Sequence, residues 1–539
     1  AIGEKLPVNL LKRKVSGVNP RFIVKSTQHG GLWRHHLLID PVLVNDAGQA
    51  VVDRLQVIAK PKIAGQPSKI ARQTASQSVL DEGEWYKLPI TSTGIYKLDR
   101  NFLSNLGIEV DNLDPRTIQI YGNGGGMLPE WNSEFRPDDL KENAIQVVGE
   151  SDGVMNGGDY VLFYGKGPTD WTKPGGDYVH QTHLYSDSSY YFLRVNYQQG
   201  KRIPTVDESS LIPTHSYNYF EDYAVFEEEK VNLVKTGRRW FGAYYDIQTS
   251  YNVAFNFPHL VDTIPVKLTA QSAFRSTSPS TMNFLYRGNT VLNYTGATVT
   301  GNYASDYYKL KSGSASFLPE TGDNIVLSTQ FDKQGNPAAA AWMDYVKIQV
   351  GRELRMDNNP VFFRQSKGLG NGNVHAFTIA NCNAQTQVWD LSTPWDVKRM
   401  QFSLNGTTAE LTVSADSLRE FVALKSSGFL IPTKARKQGN QNLHGLRDIQ
   451  YLVVVPPQFK EAGEAIAEFH AEYSKYTTAC VTTHEIYNEF SSGAQDLTAL
   501  RDFFRHLYWN ASDSVFRLQN VLLLGDASYD YKGRVSPNH

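Results

Sequence analysis

With 539 residues the chain exceeds what one hydrophobic core can organise, and its length predicts three or four domains. A formal net charge of −2 excludes a strong overall field, and with it nucleic acid as a main partner; two cysteines exclude a disulfide-built scaffold. No apolar run approaches the roughly 20 residues that span a bilayer, and 29 tyrosines against 6 methionines point to solvent-facing sheets.

The opening "AIGEKLPVNL" lacks a basic segment followed by an apolar core, so either the protein is not exported or its leader has been removed. Residues 1–80 carry short alternating segments such as "RFIVKS" and "VVDRLQVIAK", a small β region ending in the linker-like "GQPSKIARQTASQS". Residues 81–214 read as a β-rich domain with short helices: "WYKLPI", "IYKL", a helical "NFLSNLG" stopped at Gly107, then "TIQIYG", "YVLFYG" and "YYFLRV". Residues 215–435 are almost entirely period-two strands separated by Gly, Asn, Asp and Ser turns, which predicts a sandwich or jelly roll. "TKARKQGNQNLHG" reads as a linker.

Residues 445–539 change grammar. The continuous apolar strand "YLVVV" is followed by a helix with a stripe at Phe459, Ala462, Ile466, Phe469 and Tyr473. "ACVTT" is a second strand, Asp496 caps a helix with a stripe at Leu497, Leu500, Phe504 and Leu507, and "NVLLLGD" is a third strand. This β-α-β-α-β order predicts a parallel sheet whose following loops emerge on one edge. His484 and Tyr487 after the second strand, with Asp526, Tyr529 and Asp530 after the third, are therefore candidates for a common cleft, against the plainer reading of ordinary polar loop residues.

Other motifs carry less. "YGNGGGM" leads into no helix and has no Walker lysine, so it reads as a tight turn needing positive φ, not a phosphate loop. The pairs His180/His183 and His35/His36 lack further ligands at zinc spacing and suit surface or capping roles; no metal and no cofactor is expected. "SDGVMNGGDY" offers oxygen ligands without an EF-hand spacing and reads as a hairpin turn. Cys480 lies inside an apolar strand, and Cys382 has no histidine near it in sequence; both suit packing better than catalysis.

Taken in order, "WYKLPITSTGIYKLDRNFLSNLGI", "IQIYGNGGGMLPEWNSEFRPDDLKENAI", "GDYVLFYGKGP", "HLYSDSSYYFLRV", "GLRDIQYLVVVPPQF" and "VLLLGDASYDYKG" closely resemble the type IX secretion sortases, which stand with the gingipain-type cysteine peptidases. The resemblance implies β domains followed by the first half of a caspase-related, gingipain-like α/β domain. It implies a protein on the outer surface of the bacterial outer membrane that cleaves the C-terminal sorting domain from secreted cargo. The cargo then passes through a Cys thioester to anionic lipopolysaccharide, with an outer-membrane β-barrel shuttle protein as anchor. The family's catalytic His, in a Gly-His-Gly element, and its Cys both follow the third-strand loop; neither element is in these 539 residues, so polypeptide beyond them is expected to supply both and this chain is expected to be inactive alone. The resemblance also implies that the third-strand loop lines a substrate pocket, with Asp526 or Asp530 as its carboxylate; the alternative, that Asp526 caps the following turn, stays open. A different class of reading is a non-catalytic adhesin or carbohydrate-binding sandwich with a degenerate α/β module.

Overall fold

A computed structural model describes residues 75–207, 211–302, 305–322 and 324–535, together with the backbone of four strands nearer the N-terminus. The chain divides into two compact units, one of residues 1–74 and 129–135, the other of residues 75–128 and 136–539. In the first unit Phe22–His29 pairs antiparallel with Leu32–Ile39, and Val42–Asn45 with Gly48–Val51. Most of "VVDRLQVIAK" and of the segment read as a linker before residue 75 lies outside the described residues.

The second unit holds the remaining architecture. Alternation places Tyr86, Leu88 and Ile90 of Glu84–Ile90 in a core with Tyr191 and Leu193 of Ser189–Val195, Leu98 of Gly94–Asp99 and Phe163 of Tyr160–Gly165. The helix Arg100–Asn105 stops as read, with Gly107 at φ +85°. In the triple-glycine turn Gly124, Gly125 and Gly126 all take positive φ, and a Cβ on Gly125 would lie 2.6 Å from the Lys166 carbonyl oxygen, so a tight turn accounts for it. The stretch read as a linker after residue 430 instead contributes the strand Arg436–Gln438, which pairs with the edge of Glu84–Ile90.

The β-rich middle resolves into two sandwiches. In one, the sheet of Tyr219–Glu227, Ala340–Glu353, Val266–Arg275 and Lys309–Phe317 faces Ser250–Asn256, Asn324–Asp332, Thr281–Tyr286 and Asn289–Thr295 across a core that includes Leu268, Phe274, Phe284 and Ile348. In the other, Val361–Arg364, Glu420–Leu424, Gln387–Asp390 and Lys398–Met400 face Val374–Ile379 and Thr408–Ser414 across Phe363, Phe377, Leu411 and Phe421.

The last hundred residues form a parallel sheet, as their grammar predicts. Strand β1 (Tyr451–Val455) leads through helix α1 (Lys460–Tyr473) to β2 (Thr478–Thr482), then through α2 (Thr483–Phe490) and α3 (Leu497–Trp509) to β3 (Asn520–Leu523). Strand β1 is central, with Tyr451 opposite both Thr478 and Asn520. Helix α1 covers one face, against Val453 and Val455; α2 and α3 cover the other, against Leu452 and Val454.

The helix stripes match the spacing only in part. In α1 the buried positions are Gly463 and Ala467, whereas Phe459, Phe469 and Tyr473 are exposed. The reason is close approach: a Cβ on Gly463 would sit 2.6 Å from Val455 Cγ1 and 2.7 Å from Cys480 Sγ, so only the small-residue face can meet the sheet. In α3 Leu507 is buried and Leu500 and Phe504 pack against the core as the spacing predicts, but Leu497 is exposed and the buried face extends through Ala499, Phe503 and His506, because Asp502 and His506 are themselves held inside by polar partners. Among the described residues no helix is long and apolar enough to cross a membrane.

Candidate functional site

Crevices in open α/β sheets lie beyond the carboxyl ends of the strands, where neighbouring strands send their connections to opposite sides. Here the loops that leave β1 and β3 lie side by side at that edge. Pro456 follows β1 and Gly525 follows β3, with Gly525 at φ +137°; a Cβ added there would lie 3.5 Å from Pro456 Cδ, so the two loops meet.

The exit of β2 differs from expectation. No loop follows it: the Thr482 side chain accepts from the Glu485 backbone N–H, and Glu485 returns a bond to the Thr482 N–H at 2.6 Å, a capping box that starts α2 at once. His484 is thus an exposed residue of the first helical turn, and Tyr487 is core, 8% exposed, its phenol pushed up to about 12 by burial and by the nearby Asp496. Among the described residues no hydrogen bond or ring contact joins either one to Asp526 or Tyr529.

The loop after β3 holds the other three candidates. Asp526 is exposed, and its carboxylate accepts the Ala527 N–H at 3.0 Å. The Tyr529 ring stacks on Trp240 at 6.3 Å. Asp530 is 1% exposed and accepts the backbone N–H groups of Arg534 and Val535 at 2.7 Å each, which makes it the organiser of a turn. That turn presents Lys532 to Glu229 at 2.8 Å and Arg534 to both oxygens of Asp187 at 2.7 Å, while the Tyr531 carbonyl accepts from Gln495 Nε2. The rim of the sheet is therefore clasped to the β domains. Burial alone would raise the Asp187 carboxyl, but the bond from Arg534 and the charge of Lys532 hold it below the ordinary carboxylate range.

A polar cluster that the spacing of residues did not disclose lies under the sheet. Glu489, fully buried, accepts from Gln441 Nε2 at 2.9 Å, Leu443 N at 2.7 Å and His444 N at 3.0 Å, and its carboxylate lies 2.6 Å from His444 Nδ1. Burial draws the His444 imidazole down, yet the bond to Glu489 and the charge of Asp139 leave it above its ordinary value. His506, bonded to the His444 carbonyl, is pushed down to about 4 by burial and by His444, and burial lifts Asp139 to about 6. Lys87 lies buried between Asn488 Oδ1 and the Gly493 carbonyl, 2.8 Å from each, and burial with the nearby Arg436 pushes it down to about 7. The one sequence signal for this cluster is "NLHG" ahead of the first strand, a histidine where an exposed linker was expected.

Neither thiol is activated. Burial raises Cys382, whose Sγ donates to the Ile379 carbonyl, and burial raises the half-buried Cys480 more than Lys460 lowers it. His183 is no surface residue: it is 1% exposed, and its Nδ1 accepts the Tyr185 and Ser186 N–H groups in a capping role. Among the described residues no group of three His, Cys, Asp or Glu side chains could hold a metal ion. The arrangement supplies a sheet edge with an exposed carboxylate, Asp526, and among the described residues neither thiol is activated.

The comparisons agree with that picture. No curated protein sequence matches the chain. In fold it is similar to the crystal structure of dimeric latent PorU from Porphyromonas gingivalis, with a TM-score of 0.75 at 20% identity, over 86% of this chain and 43% of that one; the chain thus spans less than half the length of the PorU structure. A CBM36-1 domain of a multidomain xylanase from the hindgut metagenome of Trinervitermes trinervoides matches 24% of this chain and 96% of its own at 10% identity, but a TM-score of 0.17 carries no argument. Residues 444–539, the segment built around the parallel sheet, match the family model of peptidase family C25, so the chain has a fold similar to that of PorU and ends in a segment similar to peptidase family C25.

Proposed function

We propose that this chain is the scaffold and first half-sheet of a type IX secretion sortase, a gingipain-type cysteine peptidase that removes the C-terminal sorting domain of secreted cargo at the cell surface. In this reading a thiolate from polypeptide beyond residue 539 attacks the carbonyl at the junction, a histidine there shuttles the proton, and backbone N–H groups hold the oxyanion. The thioester is then resolved by anionic lipopolysaccharide, with an outer-membrane β-barrel shuttle protein as anchor. The observation that carries the reading is the C25 match falling on a parallel sheet whose β3 is exposed on one face. Val521 and Leu523 are 39% and 59% exposed on the face that, in β1, is covered by α2 and α3, and parallel strands are ordinarily covered on both faces.

The test is an enzyme extended through the remainder of the peptidase domain, incubated with a peptide spanning a sorting-domain junction. Cleavage abolished by a thiol alkylator, with none from the 539-residue chain alone, is expected. Cleavage that survives alkylation would remove the cysteine mechanism, and turnover by the shorter chain would place the nucleophile elsewhere.

A further inference from the structure

The loop after β3 sends its large side chains out of the peptidase segment. Tyr529 stacks on Trp240 at 6.3 Å and the Tyr531 ring lies 4.9 Å from that of Tyr185. Lys532 bonds Glu229 at 2.8 Å and lies 3.2 Å from Asp187, while Arg534 bonds both carboxylates. Lys532 and Glu229 are largely buried, where a charge-assisted bond fixes geometry better than a pair exposed to solvent.

The two stretches that receive these side chains are held by bonds in which the loop takes no part. Residues 183–187 run into the strand Ser189–Val195, and buried His183 accepts the Tyr185 and Ser186 N–H groups, which sets the Tyr185 ring and the neighbouring Asp187. Residues 229–240 follow Tyr219–Glu227; there the Trp240 indole donates to the Gly237 carbonyl at 3.0 Å, and the Asn232 side chain accepts the Thr236 N–H at 3.1 Å. Gly237, at φ +79°, is the point of closest approach: a Cβ there would lie 2.6 Å from Tyr531 Cζ, so the ring rests on bare backbone.

A receptor locked by its own bonds and carried on strands is the arrangement that holds a site to fractions of an ångström. Resting on the peptidase reading above, we propose that residues 183–187 and 229–240 form a preorganised seat for the loop after β3, with Tyr531 and Lys532 as positioning residues that hold Asp526 and the backbone beside it where cargo binds. The β domains then shape the cargo site without touching cargo themselves.

Two arms test this, both altering the seat from the β-domain side. In the 539-residue chain, Tyr185→Ala and Gly237→Ala are each expected to speed hydrogen exchange at residues 530–535 about tenfold and to leave exchange in β1 unchanged. In the enzyme extended through the rest of the peptidase domain, the same variants are expected to raise KM for the junction peptide about five- to tenfold with kcat held within about twofold. Adding Tyr531→Ala to Tyr185→Ala is expected to change KM little further, because the two rings make one contact. Gly463→Val, which destabilises the sheet away from the seat, is the control: a lowered melting temperature with KM unchanged. Unaltered exchange at residues 530–535 would overturn the seat. Faster exchange with unaltered KM, or full additivity of the two ring substitutions, would overturn the positioning role. An extended enzyme that cleaves nothing would remove the proposed function instead, and the exchange arm would still decide the seat.

Discussion

Glu489→Ala tests how the peptidase half-sheet is tied down. The substitution removes the acceptor for four bonds, from Gln441 Nε2, the backbone of Leu443 and His444, and His444 Nδ1, in a place with no solvent access. Removing one partner of a buried pair costs about 3–5 kcal/mol. In native-state hydrogen exchange that corresponds to opening that is about a hundred- to several-thousand-fold more frequent across residues 443–507. The His444 pKa is raised in the fold, so its contribution is fully present below its unfolded value and is lost as pH rises through the folded one. The protection lost on substitution should therefore shrink as pH climbs above about 6.5, the ordinary value for histidine. A change below about tenfold at pH 6, or a loss independent of pH, would refute the role given to this cluster.

Lys87 reads the opposite way. Its folded pKa is depressed from 10.5 to about 7, so its contribution is present above 10.5 and is lost as pH falls towards 7; Lys87→Met should flatten denaturant stability over that window, and an unchanged slope would sink the assignment. Replacing both Lys532 and Arg534 with Ala should free the rim turn and speed limited proteolysis between residues 526 and 535 about five- to tenfold, with no gain in cleavage if the clasp contributes nothing. Gly463→Val should cost about 1–3 kcal/mol by overpacking against Val455 and Cys480, seen as a lowered denaturant midpoint. In the extended enzyme, Asp526→Ala should change which cargo residue is preferred and not erase cleavage; an unaltered preference would leave Asp526 with only its local bond to Ala527.

What the sequence made legible is what depends on local order. The run "YLVVV" and its two partners are apolar along their length because parallel strands are buried on both faces, and they pair as read. Helix α2 was legible too, through Thr482 and Glu485 at capping-box spacing, but its polar text masked it as a loop. The face of α1 was misplaced because periodicity ranks large apolar residues first, whereas contact distance favoured Gly463 and Ala467; in α3 only Leu497 departs from its stripe. Of the candidate residues, Asp526 occupies the edge, while Asp530 and Tyr487 are drawn inward by backbone donors and by the core. The Asp530 bonds are local, whereas the Lys87–Asn488 and Lys532–Glu229 contacts rest on partners hundreds of residues distant, and no single stretch of text announces those.

The close seat of α1 over β1 and β2 has a practical outcome for identifying the nucleophile. Cys480 sits under Gly463, Cys382 lies inside a sandwich, and burial keeps both sulfurs in the unreactive protonated form at neutral pH. The native background for electrophile labelling is accordingly lowered, so in an extended enzyme the fastest adduct followed by mass spectrometry would locate the working sulfur without any cysteine having to be engineered away.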